Sequence, residues 1–287
     1  MRHSRKLAGA LYAAPVAVFV LVFFIAPLLL VGRMSASDWP LLAGDLGLNL
    51  PDNYAGIADN PLFWPAVGFT LKYTGIVVVI LIGLSLLLAL IVADRRKGTG
   101  FFRTAYFLPT TLGLASASLL FFGFYSPAIG PLDPLLEFLG IGPVSWLGTP
   151  TAALWSTVVL IVWKFAGFFM IILLVGLQGI PPDVYEAARL DGANRWQSFR
   201  HVTIPLLRPA LGLVLILSVT GSLLAFDQFF ILTKGGPDNS TVTVVQLIYR
   251  EAFQRFDLGA AAAISVVVLA ALLVLNIGQF RALRKDH

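Results

Sequence analysis

Six long apolar stretches constrain the fold of this chain more than any other feature of its sequence. They cover residues 11–32, 66–93, 105–125, 152–177, 210–232 and 258–280. Each is long enough to cross the bilayer core of about 30 Å, for which about 20 helical residues are needed. None shows the alternating pattern of a membrane barrel. We therefore expect an all-α polytopic membrane protein with six transmembrane helices, and a single transmembrane domain over residues 1–287.

The composition agrees with a chain that is solvated by lipid. Hydrophobic residues make up 58% of it and charged residues only 12%, whereas soluble proteins carry about 25% charged residues. The chain has no cysteine, which excludes disulfides, thiolate metal sites and cysteine nucleophiles. Its three histidines are scattered along the sequence, so we predict no metal site.

The distribution of basic residues predicts the orientation, because cytoplasmic loops carry an excess of Lys and Arg. One set of loops, together with both ends, holds Arg2, Arg5, Lys6, Arg95, Arg96, Lys97, Arg103, Arg189, Arg195, Arg200, Arg208, Arg281, Arg284 and Lys285. The opposite loops hold only Arg33, Lys234, Arg250 and Arg255. We therefore expect both termini on the cytoplasmic side.

The first apolar stretch has an alternative interpretation as a cleaved signal peptide. It follows a basic start, and Ser35-Ala36-Ser37 would serve as a poor cleavage site. Its apolar run is longer than the about 7–15 residues of a signal peptide. The length favours a retained transmembrane helix.

A polar insert, residues 181–205, separates the fourth and fifth apolar stretches. Asp183 is expected to cap a new helix after Pro181-Pro182, with Glu186 at the spacing of a capping box. Gly192 suits the break after this first short helix, residues 184–190. A second short helix, from residue 194 to about 202, is expected to end at Ile204-Pro205. The sequence thus predicts a helix–turn–helix that lies along the membrane surface.

Two interpretations of this insert remain open from the residues alone. In the simpler one, Glu186 only caps its own helix and the arginines only set the orientation. In the other, the small side chains of Ala187 and Ala188 let a partner approach closely, and the carboxylate of Glu186 meets a cation of that partner. The second interpretation predicts a docking surface.

The insert resembles the coupling signature of the permease subunits of ABC importers. That signature reads Glu-Ala-Ala, three residues, Gly, nine residues, Ile-x-Leu-Pro, and this chain has the same spacing with two conservative changes, Val202 and Ile204. The resemblance implies that the loop seats in a cleft of a cytoplasmic ATPase subunit. The residues that it assigns to ATPase coupling are Glu186, Ala187, Ala188, Asp191, Gly192, Ala193, Val202, Ile204 and Pro205.

Other segments resemble the carbohydrate-uptake branch of these permeases, of the maltose and glycerol-phosphate type. They are Asp191-Gly192-Ala193 with Trp196 and Phe199, Trp163-Lys164 before Gly167-Phe168, and the run 233–237 with Thr241. The chain departs from that branch at Gly68, where Asn is frequent. The resemblance implies a bacterial inner membrane protein that forms a heterodimer with a second homologous permease subunit. It also implies two cytoplasmic ATPase subunits that bind ATP and Mg, an extracytoplasmic solute-binding protein and a carbohydrate substrate.

Motifs for catalysis are not found in the sequence. It contains no Gly-x-x-x-x-Gly-Lys-Ser/Thr phosphate loop and no Gly-Lys pair at all, and such a loop is what cradles nucleotide phosphates. It also lacks His-Glu-x-x-His and Gly-x-Ser-x-Gly. We predict that the chain is not itself an enzyme and binds no cofactor, and that separate subunits hydrolyse ATP.

Charged groups inside membrane spans are costly and usually functional. Lys164 in the fourth stretch and Asp227 near the end of the fifth are candidates to line a substrate pathway, although a salt bridge between them would be a structural alternative. Ser218, Gly221 and Ser222 share one helix face, which close helix packing also explains. Phe165 and Phe168 could stack on a sugar. The candidate pathway residues are Lys164, Phe165, Phe168, Ser218, Gly221, Ser222 and Asp227.

Two other functions compete with an ABC permease. An ion-coupled secondary transporter would need carboxylates or broken helices at the midplane, for which the spans offer only Asp227 near one end. A membrane scaffold without transport would use the insert to bind a partner without coupling. The sequence does not name the sugar and leaves glycerol phosphate or an amino sugar open.

Overall fold

A computed structural model describes residues 12–93, 98–127, 129–140 and 142–284. This part of the chain is helical and contains no β-strand. Residues used above for the orientation that lie outside the described ranges are Arg2, Arg5, Lys6, Arg95, Arg96, Lys97 and Lys285. The position of both termini stays a prediction.

The helices, in chain order, are α1 Tyr12–Ser35, α2 Leu50–Asp59, α3 Phe63–Ala93, α4 Thr99–Phe107, α5 Leu114–Phe124, α6 Leu132–Phe138, α7 Pro150–Gln178, α8 Pro182–Leu190, α9 Arg195–Ser198, α10 Ile204–Leu223, α11 Asp227–Leu232, α12 Val244–Phe253 and α13 Leu258–Arg284. A 3₁₀ turn, Leu108–Thr111, follows α4. The described residues contain two π-helical turns, Leu21–Ile25 within α1 and Phe199–Thr203 between α9 and α10.

Five helical segments of the described chain are long and apolar enough to cross a membrane: Tyr12–Ser35, Phe63–Ala93, Pro150–Gln178, Arg195–Leu232 and Leu258–Ala282. The pair Thr99–Thr111 and Leu114–Phe124 is bent by 96° and is not counted among these five. If the pair is one broken span, the number of spans is six. The prediction of an all-α polytopic membrane protein is thus confirmed. The third predicted span differs from the others in being broken.

The helix that was expected to end at Ile204-Pro205 continues through these residues. Proline lacks an N–H, and its ring clashes with the carbonyl four residues earlier in a regular helix. The π-helical turn ends at Thr203, two residues before Pro205, and the N–H of Ile204 bonds to the carbonyl of Phe199, one residue further back than in an α-helix. This wider turn accommodates the proline. The second helix of the insert therefore runs on into the fifth span.

The described chain divides into two compact units. The described residues of the first unit lie within 1–63 and 247–271, and those of the second lie within 64–246 and 272–287. In the first unit, the buried Asn53 of α2 donates hydrogen bonds from Nδ2 to the carbonyls of Ser35 and Ser37, at 3.1 and 2.8 Å. These bonds satisfy carbonyls at and just after the end of α1, where no helical donor follows.

The second unit is built around α7. More than half of the spanning window of this helix, 56%, is buried. Leu160, Met170 and Leu173 of α7 are fully buried in a cluster with side chains of α3, α5, α10 and α11. This packing fixes the positions of the polar side chains on the same helices.

Candidate functional site

A cavity of about 390 Å³ lies in the second unit. Aromatic, aliphatic and small polar side chains from α3, α5, α7, α10 and α11 form its wall together with residues 224–226 between α10 and α11. Predicted pathway residues in the wall are Phe165, Phe168, Ser218, Gly221, Ser222 and Asp227. Wall residues that the sequence analysis missed include Tyr73, Leu114, Phe169, Phe226 and Gln228.

The predicted polar face of α10 contributes one side of the cavity. Ser218 and Ser222 are buried, and Gly221 lies between them. The hydroxyl of Ser218 donates to the carbonyl of Leu215 at 3.2 Å, so its own helix holds it and it keeps acceptor capacity. The half-buried rings of Phe165 and Phe168 come from α7. The fold thus brings the aromatic and the hydroxyl candidates to one place.

The charge of the cavity wall restricts what it can bind. Asp227 is the carboxylate in the wall, and none of the described lining residues is Lys, Arg or His. Binding sites with apolar walls and a few convergent polar groups orient ligands through those groups. This wall suits an uncharged, hydroxyl-rich molecule with apolar faces.

Lys164 does not line the cavity, in contrast to the prediction. Its ammonium group donates to the main-chain carbonyl of Thr110 at 3.3 Å and to that of Leu112. The predicted alternative, a salt bridge between Lys164 and Asp227, does not form either, since no ion pair joins these two described residues. The break between α4 and α5 leaves carbonyls without helical donors, and Lys164 supplies donors to them.

The insert contains a first helix, α8, that starts earlier than expected. Pro182 occupies its first turn, and Asp183 lies within that turn instead of capping it. The predicted capping box of Asp183 and Glu186 is therefore wrong. Proline is favoured at the first helical position because its fixed φ fits the helix and its missing N–H is not needed there. Asp183 still stabilises this end through the helix dipole.

The end of α8 agrees with the role predicted for Gly192. Its φ is +81°, a conformation that glycine adopts without strain. The N–H of Gly192 bonds to the carbonyl of Arg189 and that of Ala193 to the carbonyl of Ala188, at 3.0 and 2.9 Å. This pair of bonds is a Schellman motif. It reverses the chain into the next helix.

The next helix begins with a capping box that the sequence analysis did not identify. The side chain of Asn194 accepts from the N–H of Gln197 at 2.9 Å, and the side chain of Gln197 accepts from the N–H of Asn194 at 2.8 Å. The Asn-x-x-Gln spacing was a signal for it. Both ends of the turn between α8 and α9 are therefore fixed by local hydrogen bonds.

The coupling candidates lie on α8, in the turn that follows it, and where the π-helical turn joins α10. Glu186, Ala187, Asp191 and Gly192 are exposed, whereas Ala188 and Ala193 are half-buried. Val202, Ile204 and Pro205 are half-buried where the π-helical turn meets α10. The hydroxyls of Tyr185 and Thr203 lie 3.1 Å apart and join α8 to this turn. The exposed residues form an accessible edge on a helix that is tied to the fifth span.

Comparisons with known proteins place the chain in a family. Residues 82–284 match the family described as "Binding-protein-dependent transport system inner membrane component". The chain is 32% identical over 293 residues to the trehalose/maltose transport system permease protein MalF of Thermococcus litoralis, covering 98% of this chain and 97% of that protein. It is 33% identical over 271 residues to the multiple sugar-binding transport system permease protein MsmF of Streptococcus mutans, covering 93% of this chain and 92% of that protein.

The fold is similar to a chain in the crystal structure of a bacterial ABC transporter involved in the import of the acidic polysaccharide alginate. The TM-score is 0.85 with 23% identity, and the match covers 99% of both chains. Together with the family match and the two permease relatives, this similarity covers nearly the whole chain. The chain belongs to the family of inner membrane components of binding-protein-dependent transport systems, the membrane-spanning permease subunits of ABC transporters.

Proposed function

We propose that this chain lines the translocation pathway of an ATP-driven importer for an uncharged carbohydrate that a solute-binding protein delivers. The cavity of the second unit carries this proposal. Sugars present apolar ring faces and many hydroxyls, so they stack on aromatic side chains and bond to small polar groups. Phe165 and Phe168 supply the rings, and Ser218 and Ser222 supply hydroxyls.

The names of two relatives support a saccharide substrate. One is a trehalose/maltose permease protein and the other belongs to a multiple sugar-binding transport system. The charge of the cavity wall narrows the substrate class further. Asp227 would repel an anionic substrate, and none of the described wall residues is a cation that could pair with such a substrate. A neutral saccharide therefore fits this side of the pathway better than glycerol phosphate or a uronate.

The insert supports a role in coupling to ATPase subunits. Its exposed edge carries Glu186 and Ala187 on α8, where a partner could approach closely. We propose that this edge seats on one of two cytoplasmic ATPase subunits, which bind ATP and Mg. A second, homologous permease subunit would contribute the other half of the pathway. This arrangement requires the insert and both termini to face the cytoplasm of a bacterial cell.

A continuous helical path connects the insert to the cavity. Thr203, bonded to Tyr185 of α8, directly precedes α10, and Ser218 lies further along that helix. At 1.5 Å per residue the distance between them along the axis is about 22 Å. A displacement of α8 on ATP binding would thus move the helix that presents Ser218, Gly221 and Ser222. This gives a physical route from ATPase closure to alternating access.

The coupling proposal is tested with Glu186→Arg in the complex purified with its ATPase subunits and reconstituted in proteoliposomes. We expect loss of saccharide uptake, because reversing the charge removes the carboxylate from its partner's cation. Glu137→Arg, an exposed acid on α6, is the matched control and should transport normally. Uptake at the wild-type rate by Glu186→Arg, with the ATPase still bound, would refute coupling through this residue.

The substrate class is tested on the wild-type complex with its binding protein. At least one of the neutral sugars maltose, trehalose, raffinose and arabinotriose should stimulate ATP hydrolysis, and an alginate trisaccharide should not. Uptake driven by an ion gradient without ATP would instead support a secondary transporter. A complex that assembles but responds to no saccharide would support a different substrate class or a scaffold.

A further inference from the structure

Gln228, in the first turn of α11, is a buried amide in the wall of the cavity. The residue is only 2% exposed. Its Nε2 donates to the hydroxyl of Tyr73 at 3.2 Å. The ring of Tyr73 packs edge-on against Phe229, with centroids 4.8 Å apart. Tyr73 is thus a fixed support for one end of the amide.

The other end of this amide has no partner. Oε1 of Gln228 is buried and accepts no hydrogen bond from the described residues. If the amide were flipped, Oε1 would accept from the Tyr73 hydroxyl, which can donate or accept. Nε2 would then be the atom without a partner, because the hydroxyl contacts one end of the amide only. A buried polar atom without a partner is unfavourable. Such atoms are rare in native proteins and call for a specific explanation.

We infer that Gln228 is a specificity-determining residue of the cavity, whose amide hydrogen-bonds a hydroxyl of the transported saccharide while Tyr73 supports it. This role rests on the proposed function and extends it to a named recognition group. A site that hydrogen-bonds a substrate hydroxyl discriminates strongly against analogues that lack it, because its own polar group is then left unpaired. Gln228 would therefore select for a hydroxyl at one position of the sugar.

A small rotation is needed to form this bond. In this structure the oxygen is covered by protein, although other atoms of Gln228 line the cavity. The last side-chain torsion of Gln is broad and has no steep barrier. The Tyr73 hydroxyl can stay bonded to either end of the amide as it turns. The substrate hydroxyl would then satisfy the end that is now without a partner.

The test uses the whole importer complex in proteoliposomes with saturating, preloaded binding protein, so that the affinity of the binding protein does not set the rate. The probe is whichever of maltose, trehalose, raffinose or arabinotriose is taken up fastest, together with its monodeoxy analogues. Gln228→Leu should lower the uptake rate about tenfold, the equivalent of one lost hydrogen bond. The concentration of loaded binding protein that gives half-maximal uptake should stay unchanged.

The analogue series separates recognition from structural damage. The wild type should discriminate about tenfold against one monodeoxy analogue, and Gln228→Leu should transport that analogue and the parent sugar equally well. Tyr73→Phe should reduce this discrimination partially. Gln246→Leu is the matched control, because Gln246 is also 2% exposed with an unpartnered Oε1 but does not line the cavity. It should keep the wild-type discrimination.

The outcomes distinguish this role from the proposed function. If the wild type takes up none of the saccharides, the proposed function fails and the role of Gln228 fails with it. If the wild type transports and Gln228→Leu keeps the same rate and the same discrimination, only the role of Gln228 is overturned. Should the leucine variant not assemble, Gln228→Met keeps the length of the side chain but removes its amide, and unchanged discrimination by that variant overturns the role equally.

Discussion

Lys164 and Thr110 are joined by hydrogen bonds in both directions. The ammonium group of Lys164 donates to the carbonyl of Thr110 at 3.3 Å, and the hydroxyl of Thr110 donates to the carbonyl of Lys164 at 2.9 Å. The same ammonium group also bonds to the carbonyl of Leu112. These contacts connect α7 to the 96° bend between α4 and α5. The ammonium group of Lys164 thereby satisfies carbonyls at the bend that have no helical donor in an apolar environment.

Lys164→Met should therefore destabilise the second unit. Hydrogen bonds to charged groups are worth about 1.5–3 kcal/mol, so we expect the apparent Tm of the purified protein to fall by roughly 3–10 °C. Lys72→Met is the control, because Lys72 is exposed on α3. An equal Tm for the two variants would show that the bend does not depend on Lys164.

Gly167→Ala should be destabilising through contact with the main chain of α4. A Cβ at this position would overlap the main-chain carbonyl of Tyr106, and backbone atoms cannot move aside as a flexible side chain can. We expect a cost of about 1–3 kcal/mol or more, visible as a lower apparent Tm and less monodisperse protein.

Gly83→Ala provides the matched comparison for that substitution. A Cβ at Gly83 meets no atom within 4 Å, and alanine favours the helix by about 1 kcal/mol. We expect its Tm to be equal to or above that of the wild type. A Gly167→Ala protein as stable as this control would contradict the close packing of α7 on α4.

Asn53→Leu should loosen the loop that follows α1 in the first unit. The carbonyls of Ser35 and Ser37 would lose their donor, and an unpaired buried carbonyl costs about 1–3 kcal/mol. Limited proteolysis should cut residues 36–49 about tenfold faster, since cleavage follows local opening. Asp52→Leu, at an exposed position of the same helix, should leave the cleavage rate unchanged; faster cleavage there too would point to general destabilisation.

Tyr185→Phe should weaken the connection between α8 and the fifth span without removing the exposed edge of α8. Losing one neutral hydrogen bond, about 0.5–1.5 kcal/mol, should raise the ATP hydrolysed per saccharide transported by a few fold while the ATPase subunits stay bound. Tyr12→Phe, at an 85% exposed position, is the control. An unchanged ratio of hydrolysis to transport would exclude this hydrogen bond from coupling.

Properties that depend on neighbouring residues could be predicted from the sequence. Apolar length gave the all-helical membrane fold, and the fixed spacing from Glu186 to Pro205 gave the family. The break at Gly192 was also predictable, because only its own turn determines it. The start of α8 was misplaced by two residues, since Pro182 and Asp183 compete for the same helix end. The continuation through Pro205 was missed because a π-helical turn leaves no clear sequence signal.

Only the tertiary structure decided which groups the polar residues inside the spans contact. Lys164 and Asp227 were both candidates for the substrate pathway from the sequence. In the structure Lys164 donates to main-chain carbonyls, whereas Asp227 lines the cavity. Gln228 meets Tyr73 across 155 positions of the chain. Local periodicity and spacing do not encode such pairs, because packing between distant helices sets which buried groups meet a partner and which are left without one.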